Sequence, residues 1–278
     1  MSATAASFPD VDVIIVAHDS GALLESAVAS VEGQIGSDRV VIVDAGSVDG
    51  AVEAVVAAHP DVRVIRTENR GFAAGNNAGL ISTCGEFVLL LNPDAALEDH
   101  GLRTLVARAK SNRTAAIVAP LVTNPDGTTQ AGSFGPFPTL RTTLVARGNA
   151  LLNGMSGGRV AKPHVVHGTT PIDWVTGACM LVRRSAIEKA GPMDEGFFLY
   201  YEDVEWCHRM RDAGWTVLIE PTVTCVHSRG GSGGGDSPAA QEAYRASFYR
   251  YCGLYHLRGL SLAARVGLKM RTASGGRA

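Results

Sequence analysis

Along the first 120 residues, short apolar runs rich in Val, Ile and Leu alternate with stretches whose apolar positions recur at three- and four-residue intervals. That alternation is the pattern of βαβ units around a buried parallel sheet. Val11 to Ala17 reads as the first strand. Gly21 to Gly33, with Leu23, Leu24, Ala27, Val28 and Val31 on one face, reads as a helix. A strand follows from Val40 to Val43, ending at Asp44. Then come a helix near Asp49 to Ala58, a strand Val62 to Ile65, a helix near Ala73 to Ser82, and a strand Phe87 to Leu91 that runs into Asn92-Pro93-Asp94. Every strand ends at a polar cluster.

Glu98 to Lys110 reads as a helix and Ala115 to Val122 as a strand, with Asn124-Pro125-Asp126-Gly127 a strong turn signal. Gly132 to Thr170 has no sustained period. Order returns with a strand from Ala178 to Val182, a short helix Ser185 to Lys189 stopped at Gly191, and a helix from about Asp203 to Asp212. Trp215 to Ile219 and Val223 to His227 read as two strands, followed by the Gly230 to Gly235 run. Tyr244, Phe248, Tyr251 and Tyr255 then mark a helical end. The expected class is α/β, a mostly parallel central sheet flanked by helices. The expected division is a catalytic domain over 1–235, with a nucleotide-binding half near 11–122 and a catalytic half near 172–230, and a helical segment over 236–278.

Composition narrows the function. With 278 residues, 46% apolar and 19% charged, the chain can bury a full core. A net charge of −2 and the lack of a basic run interleaved with aromatics argue against nucleic acid as a partner. The five cysteines are widely spaced and form no CxxC, so neither a disulfide framework nor a zinc site is indicated. There is no leader-like start and no run of about 18 apolar residues, so a reduced, cytoplasmic setting is expected.

Ligands of open α/β sheets bind outside the carboxyl ends of the strands, so the polar clusters there converge on one candidate site. They contain no GxxxxGK[ST] and no GxGxxG. Carboxylates and amides stand there instead, groups that hydrogen-bond a base and ribose or hold a metal that holds a diphosphate. Asp44 either accepts from a base or ribose or, with Ser47 and Asp49, makes a βα turn and cap. Arg70, Gly71 and the Asn76-Asn77 pair fit an anion-facing helix start or a turn. Asp94 is thrust out after the stiff Pro93, open to a hard cation, and His227 at a later strand end is a second ligand or a structural histidine. Asp203 lies at or near a helix N-cap, where the dipole keeps a carboxylate ionised. Two aromatics, Tyr200 and Tyr201, before the acids Glu202 and Asp203 suggest a partly enclosed acceptor site.

The segments VIIVAHDS, VVIVDAGSVDG, ENRGFAAGNNAGL, FVLLLNPDA, WVTGACMLVRRSAIEKAGPMDEGFFLYYEDVEWCHRMRDAGW and VTCVHSRGGS run in order from Val13 to Ser232. As an ordered set they resemble family 2 glycosyltransferases of the GT-A fold, especially the bacterial rhamnosyltransferase-like branch. The resemblance implies that Ala17, Asp19, Asp44, Arg70 and Asn76 surround the nucleotide, with Asp49 and Gly71 in the same set. It makes Asp94 the last acid of a DxD-type motif and His227 a second metal or diphosphate contact. Asp203 becomes the catalytic base, with Trp174 and Glu202 near donor sugar or acceptor. Asn92 stands in place of the first acid of DxD, Ala45 where an Asn is common, and His18-Asp19 where Tyr-Asn is usual.

The resemblance further implies an inverting, single-displacement transfer that needs Mg2+ or Mn2+, from a nucleotide-sugar donor to a glycan or polyprenyl-linked glycan in cell-envelope polysaccharide synthesis. The branch favours dTDP-rhamnose, with UDP-sugars as the alternative. Two competing readings are a nucleotidyltransferase, which would favour a Gly- and basic-rich loop after the first strand, and a non-catalytic sugar-nucleotide binder, motivated by Asn92. The stretch from Tyr244 to Arg277 carries Arg and Lys without acids. It reads as a helix lying on an anionic membrane at the inner face of the plasma membrane, or equally as one packed on the catalytic domain.

Overall fold

The computed structural model describes residues 10–142, 166, 168–228, 237–262 and 264. Most of the Gly132 to Thr170 stretch, the Gly230 to Gly235 run and the basic end beyond residue 264 lie outside the described residues. The apolar runs form strands β1 (Val11–Ala17), β2 (Val40–Asp44), β3 (Arg63–Arg66) and β4 (Phe87–Leu91), separated by helices α1 (Leu23–Ile35), α2 (Ala51–Ala58) and α3 (Phe72–Ile81). The three-residue strand β5 (Ala95–Leu97) comes directly after, then α4 (Gly101–Ser111) and β6 (Ala115–Thr123). Beyond it lie β7 (Phe134–Gly135), β8 (Thr170–Ile172), β9 (Trp174–Val175), β10 (Cys179–Arg183), α5 (Arg184–Ala190), α6 (Glu202–Asp212), β11 (Thr216–His227) and α7 (Pro238–Leu254).

The main sheet runs β3-β2-β1-β4-β10-β6-β11-β5, with β8 beside β11. It is parallel from β3 through β4, as the βαβ pattern requires. Beyond β4 it is mixed: β10 is antiparallel to both β4 and β6, while β6 and β11 are parallel. Strand order reverses at β1 and β4, the switch point where a crevice opens at carboxyl ends. Alternate residues of these strands feed two cores. Val13, Ile15, Ile42, Leu89 and Leu91 pack on α1, α2 and α4, whereas Ile14, Val41, Val43, Val88 and Leu90 pack with side chains of α3, α5 and α6.

The two strands expected on either side of Pro221 are one strand, β11, with a shift of register between Glu220 and Thr224. Proline supplies no N–H to a ladder, so the pairing slips there without ending. The length of β11 lets it meet β8 through residues 217–219 and β5 through residues 225–227. The second meeting sets His227 opposite Ala95, beside the Asn92-Pro93-Asp94 turn.

The aromatic face of α7 packs on the loop before α6 and on α6 itself. Tyr251 is fully buried, Ser247 Oγ donates to Leu199 O at 2.8 Å, and the His208 and Tyr255 rings stack at 3.8 Å. Over residues 238–254 the packed-helix reading therefore holds. No helix among the described residues is long and apolar enough to cross a membrane.

Candidate active site

At the end of β4 the chain turns through Asn92-Pro93-Asp94, and the Asn92 N–H donates to Ala178 O at 2.9 Å, tying the turn to the start of β10. Asp94 is only 6% exposed, so the carboxylate is folded inward and not thrust into solvent. His227 Nε2 lies 3.1 Å from Asp94 Oδ1 and 3.2 Å from Asn92 Nδ2. Asn92 Oδ1 is buried with no hydrogen-bond partner. An orphaned amide oxygen costs about 1–3 kcal/mol, and a hard cation is one partner that would offset it. Carboxylate oxygen, amide oxygen and imidazole nitrogen make a donor set that suits Mg2+ or Mn2+. Among the described residues no group of three or more His, Cys, Asp or Glu is placed to hold a metal, so further ligands would come from substrate or water.

The residues assigned to the nucleotide form a laced rim at the ends of β1 and β2. Ala17, buried at the end of β1, accepts at its carbonyl from Ala45 N at 2.8 Å. Asp19, at φ +47°, accepts from Val48 N at 2.8 Å. Asp49 accepts from Gly21 N at 2.8 Å and Ala51 N at 3.1 Å, and these bonds, Gly21 first, lower its pKa. Asp44 is buried, accepting from Ser47 N at 2.8 Å and from Arg66 Nη1 at 2.7 Å. Both the turn-making and the ligand-facing readings of Asp44 thus remain compatible with its place.

Arg70 is exposed and paired with Glu195 at 2.9 Å, so it would have to exchange that carboxylate for an incoming anion. Gly71 has φ +97°, and a Cβ there would lie 2.2 Å from Phe198 O. The Phe72 N–H donates to that same carbonyl at 2.9 Å. Asn76 is buried and donates to Phe72 O at 2.9 Å within its own helix. Its neighbour Asn77 bonds Met193 in both directions, donating at 2.9 Å and accepting at 3.0 Å. This loop and the segment 193–198 are therefore stitched together.

The acids at the start of α6 are set by a strained entry. Tyr200 and Tyr201 stand consecutively at φ +69° and +66°, a conformation that costs an ordinary residue about 1–2 kcal/mol. The Tyr201 ring packs edge-on against Tyr244 and Phe248 of α7 and tilts against Tyr251, contacts that offset the strain. Tyr201 is thus committed to α7 rather than to an open acceptor wall. Trp174 donates from Nε1 to Pro136 O at 3.0 Å and packs against the same aromatic cluster.

Asp203 is half-buried; its Oδ2 accepts from Gly177 N at 2.9 Å and its Oδ1 from Val204 N at 2.8 Å. Burial raises its pKa and outweighs the lowering by those backbone donors. Glu202 is buried with Oε2 unpartnered, and burial, then repulsion from Asp203, push its pKa well up. Such a pair holds a proton more tightly folded than unfolded. Its cost is therefore absent at low pH and grows as pH rises from the ordinary carboxylate range through the raised folded values. Glu202→Gln should melt higher than the parent at pH 8, with the gap closing towards pH 5; equal melting temperatures at pH 8 would refute that burial cost.

Several contributing residues do not stand out in the sequence alone. Gly177 holds the Asp203 carboxylate, and a Cβ on it would strike the Phe72 ring at 2.8 Å. Its place three residues after Trp174, in the run WVTGAC, is a usable signal. Glu195, which holds both Arg70 and Asn77, and Arg66, which holds Asp44, carry none, because each bond depends on the tertiary fold.

The family model described as "Glycosyl transferase family 2" matches residues 12–191, well over half of the chain. An N-acetylglucosaminyl-diphospho-decaprenol L-rhamnosyltransferase of Mycobacterium tuberculosis is 29% identical over 294 residues, covering 94% of this chain and 93% of the relative. The dTDP-rhamnosyl transferase RfbF of Shigella flexneri is 25% identical over 167 residues, covering 58% of this chain and 50% of its own length. A solved mannosyltransferase from Pyrobaculum calidifontis, in complex with GDP-Man and Mn2+, superposes with a TM-score of 0.58 at 18% identity. That match covers 97% of this chain and 76% of the solved one, and the shared architecture is the expected GT-A fold. With its ordered strand-end motifs, an acid pair at the start of α6 and rhamnosyltransferases among its relatives, the chain belongs to glycosyl transferase family 2.

Proposed function

We propose that this glycosyltransferase moves L-rhamnose from dTDP-rhamnose to a hydroxyl of a polyprenyl-linked glycan, with inversion and with a divalent cation. The observation that carries the reading is the junction of β4 and β10. There Asn92 N–H bonds Ala178 O while the adjacent Gly177 N–H bonds Asp203. Asn92 and Asp203 are thus tied to consecutive residues, Ala178 and Gly177, at one end of two neighbouring central strands. The relatives' names supply the sugar and the lipid-linked acceptor. A UDP-sugar is the alternative donor, because a donor pocket changes through few residues.

Asp203 is the base. Its raised proton affinity strengthens it for taking the acceptor hydroxyl proton, while the Gly177 and Val204 N–H groups fix its orientation. The acceptor oxygen forms its bond to the anomeric carbon as the bond to the diphosphate oxygen breaks, and the nucleoside diphosphate leaves with the electron pair. Asn92, Asp94 and His227 would hold the cation, which supplies charge neutralisation at the departing diphosphate. Asp44, Asp19 and the rim around them face the base and ribose, and Arg70 faces the diphosphate after leaving Glu195. Trp174 and Glu202 line the sugar and acceptor side. The basic residues after α7 contact an anionic membrane surface, bringing the cleft near a lipid-linked acceptor.

The test is a transfer assay with dTDP-rhamnose, UDP-glucose and UDP-N-acetylglucosamine on a polyprenyl-diphosphate-linked acceptor, with Mn2+, Mg2+ or excess EDTA, and the product's anomeric configuration read by NMR. Transfer of rhamnose that stops in EDTA and inverts configuration is expected. Full activity in EDTA would remove the cation. Nucleotide binding without transfer from any donor would favour the non-catalytic binder.

A further inference from the structure

The Asn124-Pro125-Asp126-Gly127 turn closes β6 and has no part in the proposed transfer. Its side chains nevertheless form a chain of hydrogen bonds whose direction is set at one end by a carboxylate. Asp126 Oδ1 can only accept, and it takes the Thr128 hydroxyl at 2.6 Å. With its proton so committed, Thr128 Oγ1 accepts from Asn124 Nδ2 at 2.9 Å. Asn124 Oδ1 then accepts from Gln130 Nε2 at 3.1 Å, and the same Nε2 donates to the His227 backbone carbonyl at 3.0 Å.

A carbonyl accepts only, so the orientation of the Gln130 amide is determined twice over. Its Oε1 must face the His227 ring, where it lies 2.8 Å from Nδ1. In the neutral ring the hydrogen is therefore carried by Nδ1, and Nε2 keeps its lone pair. That lone pair accepts from Asn92 Nδ2 at 3.2 Å and faces Asp94 Oδ1 at 3.1 Å. Nitrogen and carboxylate lone pairs at that separation repel unless a positive charge stands between them. Gln130 is 3% exposed, so water does not compete for the amide.

We propose that Gln130, oriented by Asn124, Thr128 and Asp126, is a positioning residue that holds His227 in the Nδ1–H tautomer and so presents Nε2 as a ligand to a divalent cation. The inference rests on the proposed role of Asp94 and His227 in holding that cation. Outer partners of this kind typically change metal affinity by about 10- to 100-fold when lost.

The test uses the full-length protein with 15N-labelled histidine, metal-free and at alkaline pH, with His227→Ala to assign the ring signals. Nδ1–H is expected for His227 in the parent, and an Nε2–H parent would overturn the proposal with no variant needed. Gln130→Met removes the acceptor. It should move the ring towards Nε2–H and weaken Mn2+ binding, followed by electron paramagnetic resonance, by about 10- to 100-fold. Gln130→Glu keeps an acceptor for Nδ1–H and should retain both the tautomer and most of the affinity. A Gln130→Met protein with unchanged tautomer and unchanged Mn2+ affinity would also overturn it. A parent that takes up no Mn2+ while showing the Nδ1–H ring would instead sink the cation reading itself.

Discussion

Asp203→Asn should lower the transfer rate by about 10²- to 10⁴-fold while leaving donor binding within a few-fold of the parent. The amide is isosteric, and its oxygen can still accept from one of the Gly177 and Val204 N–H groups, while its NH2 faces the other at a cost of about 1–3 kcal/mol. What it cannot do is take the acceptor proton. The parent's rate should fall on acidification at a pH above the ordinary carboxylate range, because burial raises the Asp203 pKa. That acid limb should vanish from the residual activity of the variant. Turnover of product and calorimetric binding of the nucleotide, measured across pH, decide the matter. Parent-like turnover in Asp203→Asn would eliminate this carboxylate as the base.

The second large effect is expected from Gly71→Ala, where one methyl group meets two obstacles. The φ of +97° is strained for any residue with a Cβ, and that Cβ would sit 2.2 Å from Phe198 O, a backbone atom that cannot rotate away. Strain of about 1–2 kcal/mol and overpacking of about 1–3 kcal/mol give a loss of roughly 3 kcal/mol. In a chain of this size that corresponds to a fall in Tm of roughly 6–12 °C. Relief by moving the loop would break the bond from Phe72 N to Phe198 O, one of the stitches between the Arg70 loop and the segment leading to Tyr200. The donor KM should therefore rise even where the protein stays folded. Denaturant unfolding together with donor kinetics checks both parts, and a loss under about 1 kcal/mol would show that the loop yields freely.

Most of the sheet is legible in the sequence because its strands are continuous apolar runs. Phe87 to Leu91 is buried at every position, and the apolar run and the strand share the same bounds. Helix ends are less legible, since backbone conformation sets them. The first helix begins at Leu23, after Gly21 at φ +57°, and α4 begins at Gly101 because His100 is left-handed at φ +62°. Strand β5 leaves no trace in the pattern. Three residues carry no period, and its partner lies near position 225.

The candidate site divides in a similar way. Strand ends are local facts, so Asp19, Asp44, Asp94, Asp203 and His227 stand out along the chain as polar residues beside apolar runs. The ordered motifs link them to one chemistry without any distance. Their states are not local. How tightly Asp203 holds a proton depends on how deeply it is buried, and burial outweighs the backbone donors at the helix start. Whether Asp94 meets a ligand depends on β11 continuing past Pro221 to pair with β5.

The amino-acid sequence by itself determined the alternation of elements, the buried strands and the family, because periodicity and motif order are properties of neighbours along the chain. Only the tertiary structure decided the mixed half of the sheet, the inward turn of Asp94, the clamp of α7 on the strained tyrosines and the contact of the Gln130 amide with the His227 ring. Each depends on hydrogen bonds or packing between groups far apart in the chain, and those energies exist only once the fold has brought the groups together.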